Sequence, residues 1–382
     1  MPFAHLKTGR FHYEVFGDKQ LPAVLLIMGL GMPAAGWPRS FISMLLEKSL
    51  RVITVDNRDA GLSEHFSHLK TSISVPAAIG RTLLRLPVQA PYLLEDMALD
   101  LVQLLDELKL QRAHVVGASM GGMIGQTLAS IRPSRVASLT SIMSASGNPR
   151  TGFGKLRAIY SILMHSSDLS TEEGREKHLE RVFMTLKSPS YEYTAQEKHE
   201  LLHEMSRYEI DQTAGERQLL AILASGDRSS DIARITAPTL VIHGEDDPLL
   251  PLAAGKEVAD LIPKSEFLAL PRMGHDLPPI HFETITRAIA SHVWQRKPRS
   301  GFFLGSSFFF QTHLTNLVTN ALFLKHAQVV YEDRPFQMIH FVLNTDSQQP
   351  VAFQFKKVAF EILSLNLYFC RASDLVVNAG QR

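Results

Sequence analysis

Short apolar runs, each stopped by turn residues, recur along the first three quarters of the chain. Residues 9–17 alternate loosely between apolar and polar and predict an early strand ending at Gly17-Asp18. A continuous apolar run at 23–28 (AVLLIM) and short stretches at 51–55 (RVITV), 113–116, 136–143, 239–243 (TLVIH) and 265–270 (SEFLAL) predict strands, most of them short, apolar and bounded by turn residues as strands covered on both faces should be. Helical periodicity lies between them. Residues 94–108 place Met97, Leu101, Leu104, Leu105 and Leu108 on one stripe, and 122–131, 252–262 and 281–295 also read as helices. Strand–helix alternation implies βαβ units and a mostly parallel sheet. Residues 148–231 break the rhythm with charged, helix-forming stretches such as EEGREKHLERVFMTL, which predicts a helical insertion, or cap, between two strands. The alternation resumes at Ile235-Thr236-Ala237-Pro238, and no repeat at solenoid spacing occurs.

Beyond about residue 297 the character changes. The stretch from Gly301 onward holds 12 of the 21 phenylalanines, with no recognisable strand–helix alternation. Residues 300–324 lack Asp, Glu, Lys and Arg, which raises the reading of a membrane span. Gln311, Thr312, His313, Thr315, Asn316, Thr319 and Asn320 fall in its middle, where polar groups are costly, so a span is disfavoured. A poorly packed or separately docked extension, or a tail translated from a shifted frame, are the other readings. The expected organisation is a first core segment at 1–147, a helical cap at 148–231, a second core segment at 232–297 and an extension at 298–382.

Composition narrows the classes. Among 382 residues, 45% are hydrophobic and 20% charged, which fits a globular core rather than disorder. A net charge of +1 and the lack of a basic run with interleaved aromatics give no reason to expect nucleic acid. One cysteine, Cys370, excludes an intrachain disulfide and fits a reducing compartment. No apolar stretch follows a basic start, so the expected location is cytoplasmic. Oligomeric state is not readable.

The candidate chemistry centres on VVGASMGGMIG at 115–125. Gly117-Ala118-Ser119-Met120-Gly121 fits G-x-S-x-G after a predicted strand and before a predicted helix, the setting of a nucleophile elbow. The pattern alone arises by chance in roughly one chain in ten of this length. Its competitor, a phosphate-cradling loop, needs a Walker or dinucleotide pattern that 117–125 do not supply. A serine hydroxyl needs a base, and the base an orienting carboxylate, in the order Ser, acid, His. Asp247, after TLVIH, and His275, after SEFLAL, sit at strand ends in that order. Asp246 competes with Asp247, and Glu245 is a third choice. His243, His281 and His292 read as structural or solvated, and His114 as a satisfied core residue. The amides of Met120 and Leu30, the latter in Met28-Gly29-Leu30-Gly31 after an early strand, are the candidate oxyanion donors. Met28, Met32, Met120 and Met123 flank these positions, as apolar substrate contacts or equally as core filler.

LLIMGLGMPAAGW, VDNRDAGLS, YLLEDMALD, VVGASMGGMIGQTLA, LVIHGEDDPLLP and Gly274-His275, in this order, resemble the α/β-hydrolase superfamily across roughly residues 9–295. MGLGM with DNRDAGLS is similar to the bacterial aclacinomycin methylesterase-like esterases. The resemblance implies an α/β-hydrolase fold with an eight-stranded, mostly parallel sheet, a helical cap, and no metal or organic cofactor. It implies acyl transfer from a small-molecule ester to water, with Ser119, Asp247 and His275 as the triad and Asp56 and Arg58 bracing loops. Met28-Gly29 departs from the common His-Gly, which a backbone donor tolerates. Alternatives are a lactonase or carbon–carbon bond hydrolase with the same triad, or a non-catalytic ligand-binding protein on this fold.

Overall fold

The computed structural model describes residues 2–163, 168–208 and 211–294, together with three strands further on at 327–332, 338–343 and 351–356. The chain forms two compact units, Met1–Lys297 and Pro298–Arg382. In the first unit eight strands make one sheet: β1 (Phe3–Leu6), β2 (Gly9–Phe16), β3 (Ala23–Ile27), β4 (Arg51–Val55), β5 (Ala113–Ala118), β6 (Val136–Ile142), β7 (Thr239–Gly244) and β8 (Glu266–Leu270). Their order is β1-β2-β4-β3-β5-β6-β7-β8. β1 and β2 are antiparallel to each other and β2 to β4, while β4 to β8 run parallel.

The helices are α1 (Arg39–Glu47), α2 (Val75–Leu83), α3 (Leu94–Glu107), α4 (Met120–Ile131), α5 (Leu156–Leu163), α6 (Glu172–Leu186), α7 (Ala195–Ser206), α8 (Gln212–Ser225), α9 (Ser229–Ile232), α10 (Leu252–Leu261) and α11 (Phe282–Trp294). α5 to α9 form the insertion between β6 and β7. The inner strands β3 to β7 are buried at nearly every position because both faces are covered, whereas β8, expected from its sequence to be covered likewise, lies at the sheet edge and leaves Glu266 and Phe267 exposed. On β3, Leu25 and Ile27 join one core with α3, α4 and α10, whereas Val24 and Leu26 join the other with α1 and α11. β7 divides likewise, with Val241 in the first and Leu240 and Ile242 in the second. Each such side chain, fully withdrawn from water, stabilises the fold by about 1.5–3 kcal/mol. α3 buries Met97, Leu101, Leu104 and Leu105 against the first core, and Leu108 packs there half-buried.

β1, α1 and α2 are absent from the periodicity reading. β1 has four residues, too few to establish a period. α4 starts at Met120, two residues before the expected 122, because Gly121 and Gly122 lower helix propensity yet are required by crowding.

The second unit contains β9 (Ala327–Glu332), β10 (Met338–Leu343) and β11 (Val351–Lys356), an antiparallel sheet in the order β11-β10-β9. These are strands where the sequence reading assigns no element. Their β-branched and aromatic content fits a pleated surface, but the sequence here lacks the strand–helix alternation that marks the first unit. Residues 300–324 and Cys370 lie outside the described residues. Among the described residues no helix is long and apolar enough to cross a membrane.

Candidate active site

The sheet sets the location. From β3 the chain steps one way to β4 and the other way to β5, so the loops after β3 and β5 leave adjacent strand ends and part around a crevice. Ile27 pairs with Gly117 in register, bringing the loop at Gly29–Gly31 beside the turn at Ser119. A Cβ on Gly29 would lie 3.2 Å from Ser119 Cβ, a contact tight enough that the Ser119 side chain would have to shift by a few tenths of an ångström.

Ser119 has φ 54° and ψ −121°, a conformation that costs a non-glycine residue about 1–3 kcal/mol. It is held by Ser119 N–H donating to Ile142 O at 2.9 Å, and by Gly122 N–H (2.9 Å) and Ser144 Oγ (2.9 Å) donating to Ser119 O. Gly117 and Gly121 let the turn close. A Cβ on Gly117 would overlap the Gly121 carbonyl, and one on Gly121 the Ile27 carbonyl. The hydroxyl is thereby presented at the start of α4, with the amide of Met120 next to it.

The structure brings together three of the residues singled out in the sequence. His275 Nε2 lies 3.0 Å from Ser119 Oγ, and His275 Nδ1 lies 2.7 Å from Asp247 Oδ2. A carboxylate only accepts, so Nδ1 carries the ring proton and Nε2 accepts from the Ser119 hydroxyl. Asp247 is buried, and its Oδ1 accepts from Leu249 N–H and Leu250 N–H, both at 2.8 Å. Asp246 and Glu245 are exposed and remain outside this chain of hydrogen bonds. His243 is fully buried and donates Nε2–H to Leu250 O at 2.8 Å, bracing the Asp247 loop. Burial holds its imidazole below the usual range, hence neutral. His281 and His292 meet backbone carbonyls of Pro271 and Pro238. His114 meets Ser138 Oγ at 2.8 Å, and burial lowers its pKa to about 4.

Met120 and Met123 are buried in the first core and Met28 in the second, with Met32 packed half-buried against the latter. Asp56 accepts from Ala34 N–H, Leu62 N–H and His12 Nδ1, and Arg58 makes a bidentate pair with Asp100 at 2.7 and 2.8 Å. Both brace loops. Asn57 Nδ2 donates to Met28 O at 3.0 Å, tying down the start of the Leu30 loop.

Contacts from the insertion were not legible in the sequence. Ser188, just past α6, donates N–H and Oγ to Asp276 Oδ1 at 2.9 and 2.6 Å, and accepts from Gly274 N–H. Tyr193 donates its hydroxyl to Asp276 Oδ2 at 2.7 Å, and His275 N–H donates to Leu186 O at 2.8 Å. Burial pushes the Asp276 carboxyl up, against the pull of these donors. The partners of Asp276 lie 83 to 88 residues away, beyond any local pattern. Among the described residues no group of three or more His, Cys, Asp or Glu could hold a metal ion.

Known proteins resemble this chain over the same region. A family model described as alpha/beta hydrolase fold matches residues 22–281. A Variovorax paradoxus (strain S110) protein named "Putative carbamate hydrolase RutD" is 31% identical over 266 residues, 69% of this chain and 88% of that protein. Rhodomycin D methylesterase DauP of Streptomyces sp. (strain C5) is 27% identical, covering 73% of this chain and 93% of its own. The solved enol-lactonase of Burkholderia xenovorans LB400 superposes with TM-score 0.57 at 22% identity, over 76% of this chain and 99% of that one, a likeness of fold.

Proposed function

This chain belongs to the α/β-hydrolase fold family, and from that premise we propose that it is a serine hydrolase cleaving a carboxylic ester through an acyl-enzyme. The observation that carries the reading is the continuous relay from Ser119 Oγ through His275 to Asp247, at 3.0 and 2.7 Å. Ser119 attacks the ester carbonyl as His275 Nε2 takes its proton. The negative oxygen that develops is met by the amides of Met120 and Leu30, fixed in place before the reaction. His275 returns the proton to the leaving alkoxide, the alcohol departs, and a water deprotonated by the same nitrogen releases the acid and regenerates Ser119. Asp247 holds the ring in the tautomer that accepts at Nε2 and stabilises the imidazolium. The insertion α5–α9 acts as the cap over this edge of the sheet.

The methylesterase relative supports an ester substrate. The carbamate hydrolase relative supports a carbamate as the second reading, since the same relay attacks either carbonyl. A panel of p-nitrophenyl acetate and butyrate, a p-nitrophenyl carbamate and a simple lactone tests both. Ester turnover in the wild type that falls at least ~10³-fold in Ser119→Ala is expected. Unchanged turnover in Ser119→Ala would contradict the reading.

A further inference from the structure

The Leu30 loop is a four-residue turn closed by Met32 N–H donating to Gly29 O at 3.3 Å. Gly31 has φ +68°, and Leu30 is not among the positive-φ residues, the signature of a type II turn with Gly31 at its third position. In such a turn the central peptide is Leu30–Gly31, whose N–H is that of Gly31 and directly follows the peptide that carries Leu30 N–H. Its N–H points at one partner. Gly31 N–H donates to Gln218 Oε1 at 2.7 Å.

Gln218 is fully buried on α8, and its other end is also engaged, with Nε2 donating to Arg58 O at 2.6 Å. One amide therefore bridges the turn after β3 and the loop after β4. The neighbouring residue fixes the depth of α8. Arg217 binds Asp59 in bidentate fashion at 2.6 and 2.9 Å, both side chains buried, and Tyr92 OH adds a third bond to Asp59 at 2.7 Å. Asn57 and Asp56 hold the loop at Met28 and Ala34 from the sheet side. The peptide between those anchors is held by the insertion.

We infer that Gln218 is a positioning residue: by accepting from Gly31 N–H it anchors the Gly29–Met32 turn one peptide beyond Leu30 N–H, so that the turn as a whole, and Leu30 N–H with it, is held toward the oxygen of the tetrahedral intermediate. The inference rests on the proposed acyl-transfer reaction. A lost oxyanion donor lowers turnover by about 10²–10³-fold, and a donor that is present but loosened should lose less. Gln218→Leu removes the acceptor at similar size. Gln218→Asn keeps the amide but is one methylene too short to span both partners, and it serves if the leucine variant does not fold.

Steady-state ester hydrolysis and inhibition by an aryl trifluoromethyl ketone, whose adduct carries the oxyanion, provide the test. For whichever variant folds, kcat should fall about 10–100-fold with KM within threefold of wild type, and ketone affinity should weaken by a matching factor. A folded variant with wild-type kcat, or with lowered kcat but unchanged ketone affinity, overturns the inference. Ser119→Ala, run in parallel, separates the two levels. If it stays active the proposed chemistry fails; if it is inactive while both Gln218 variants match wild type, only the positioning role fails.

Discussion

Gly121→Ala tests how tightly the elbow is built. An added Cβ would lie 2.6 Å from the Ile27 carbonyl carbon and 2.8 Å from Met28 O, and would overlap Ile27 O. Real Cβ atoms essentially never approach closer than 3.0 Å, and every atom in the way is backbone of β3 or its exit. No rotamer relieves the clash, so the first turn of α4 must retreat by about 1 Å. Overpacking of that kind costs about 1–3 kcal/mol, set against the ~0.5–1 kcal/mol that alanine gains over glycine inside a helix. The retreat also carries Ser119 and the Met120 amide away from the Leu30 loop, and a 1 Å misplacement costs on the order of 10²-fold in rate. Gly215→Ala is the matched control, since a Cβ there meets nothing within 4 Å on α8. Urea denaturation and ester kinetics on both variants give the comparison. Gly121→Ala is expected to lose stability and about 10²-fold in kcat/KM, whereas Gly215→Ala gains about 0.5–1 kcal/mol at wild-type activity. Wild-type kcat/KM in Gly121→Ala would refute the crowding argument.

Asp247→Asn should fold, since its oxygen still accepts from Leu249 and Leu250, yet lose on the order of 10³–10⁴-fold in kcat as the His275 tautomer and charge support fail; ester kinetics at saturating substrate measure it. Arg217→Met leaves Asp59 buried with only Tyr92 and the Phe66 amide, and should cost about 3–5 kcal/mol in urea unfolding. Adding Asp59→Asn to that variant should recover part of the loss. Acid stability is a third check. The pKa of His114 is lowered from 6.5 to about 4 by burial, so the folded state keeps it neutral while the unfolded chain binds a proton below pH 6.5. The stability this residue contributes is therefore complete above pH 6.5 and declines as pH falls from 6.5 toward 4, by about 2 kcal/mol at pH 5. His114→Gln should flatten that part of the pH–stability curve, and an equal slope in both proteins would contradict the assignment.

The parts of this molecule that sequence reveals are those governed by local rules. β3, β4 and β7 are apolar at successive positions because each face meets a different core, and that run is visible without coordinates. Ser119, Asp247 and His275 stand at strand ends, so a parallel sheet alone puts them on one edge. Gly117 and Gly121 stand out because their spacing marks crowding. Gln218, Ser188 and Asp276 carry no such mark. Their partners are up to 187 residues distant, and glutamine, serine and aspartate ordinarily face water. For the methionines the sequence leaves substrate contact and core filler equally open, because a place beside the elbow in the chain fits either; Met120 and Met123 lie buried in the core.

The account turns on the hydroxyl of Ser119 being activated by His275. Intact-mass spectrometry and peptide mapping after incubation with a fluorophosphonate probe report that most directly. One phosphonyl group per chain, located on Ser119 and formed at least ~10³-fold more slowly in His275→Ala, is the expected result. Modification at another residue, or equal rates in the two proteins, would contradict it.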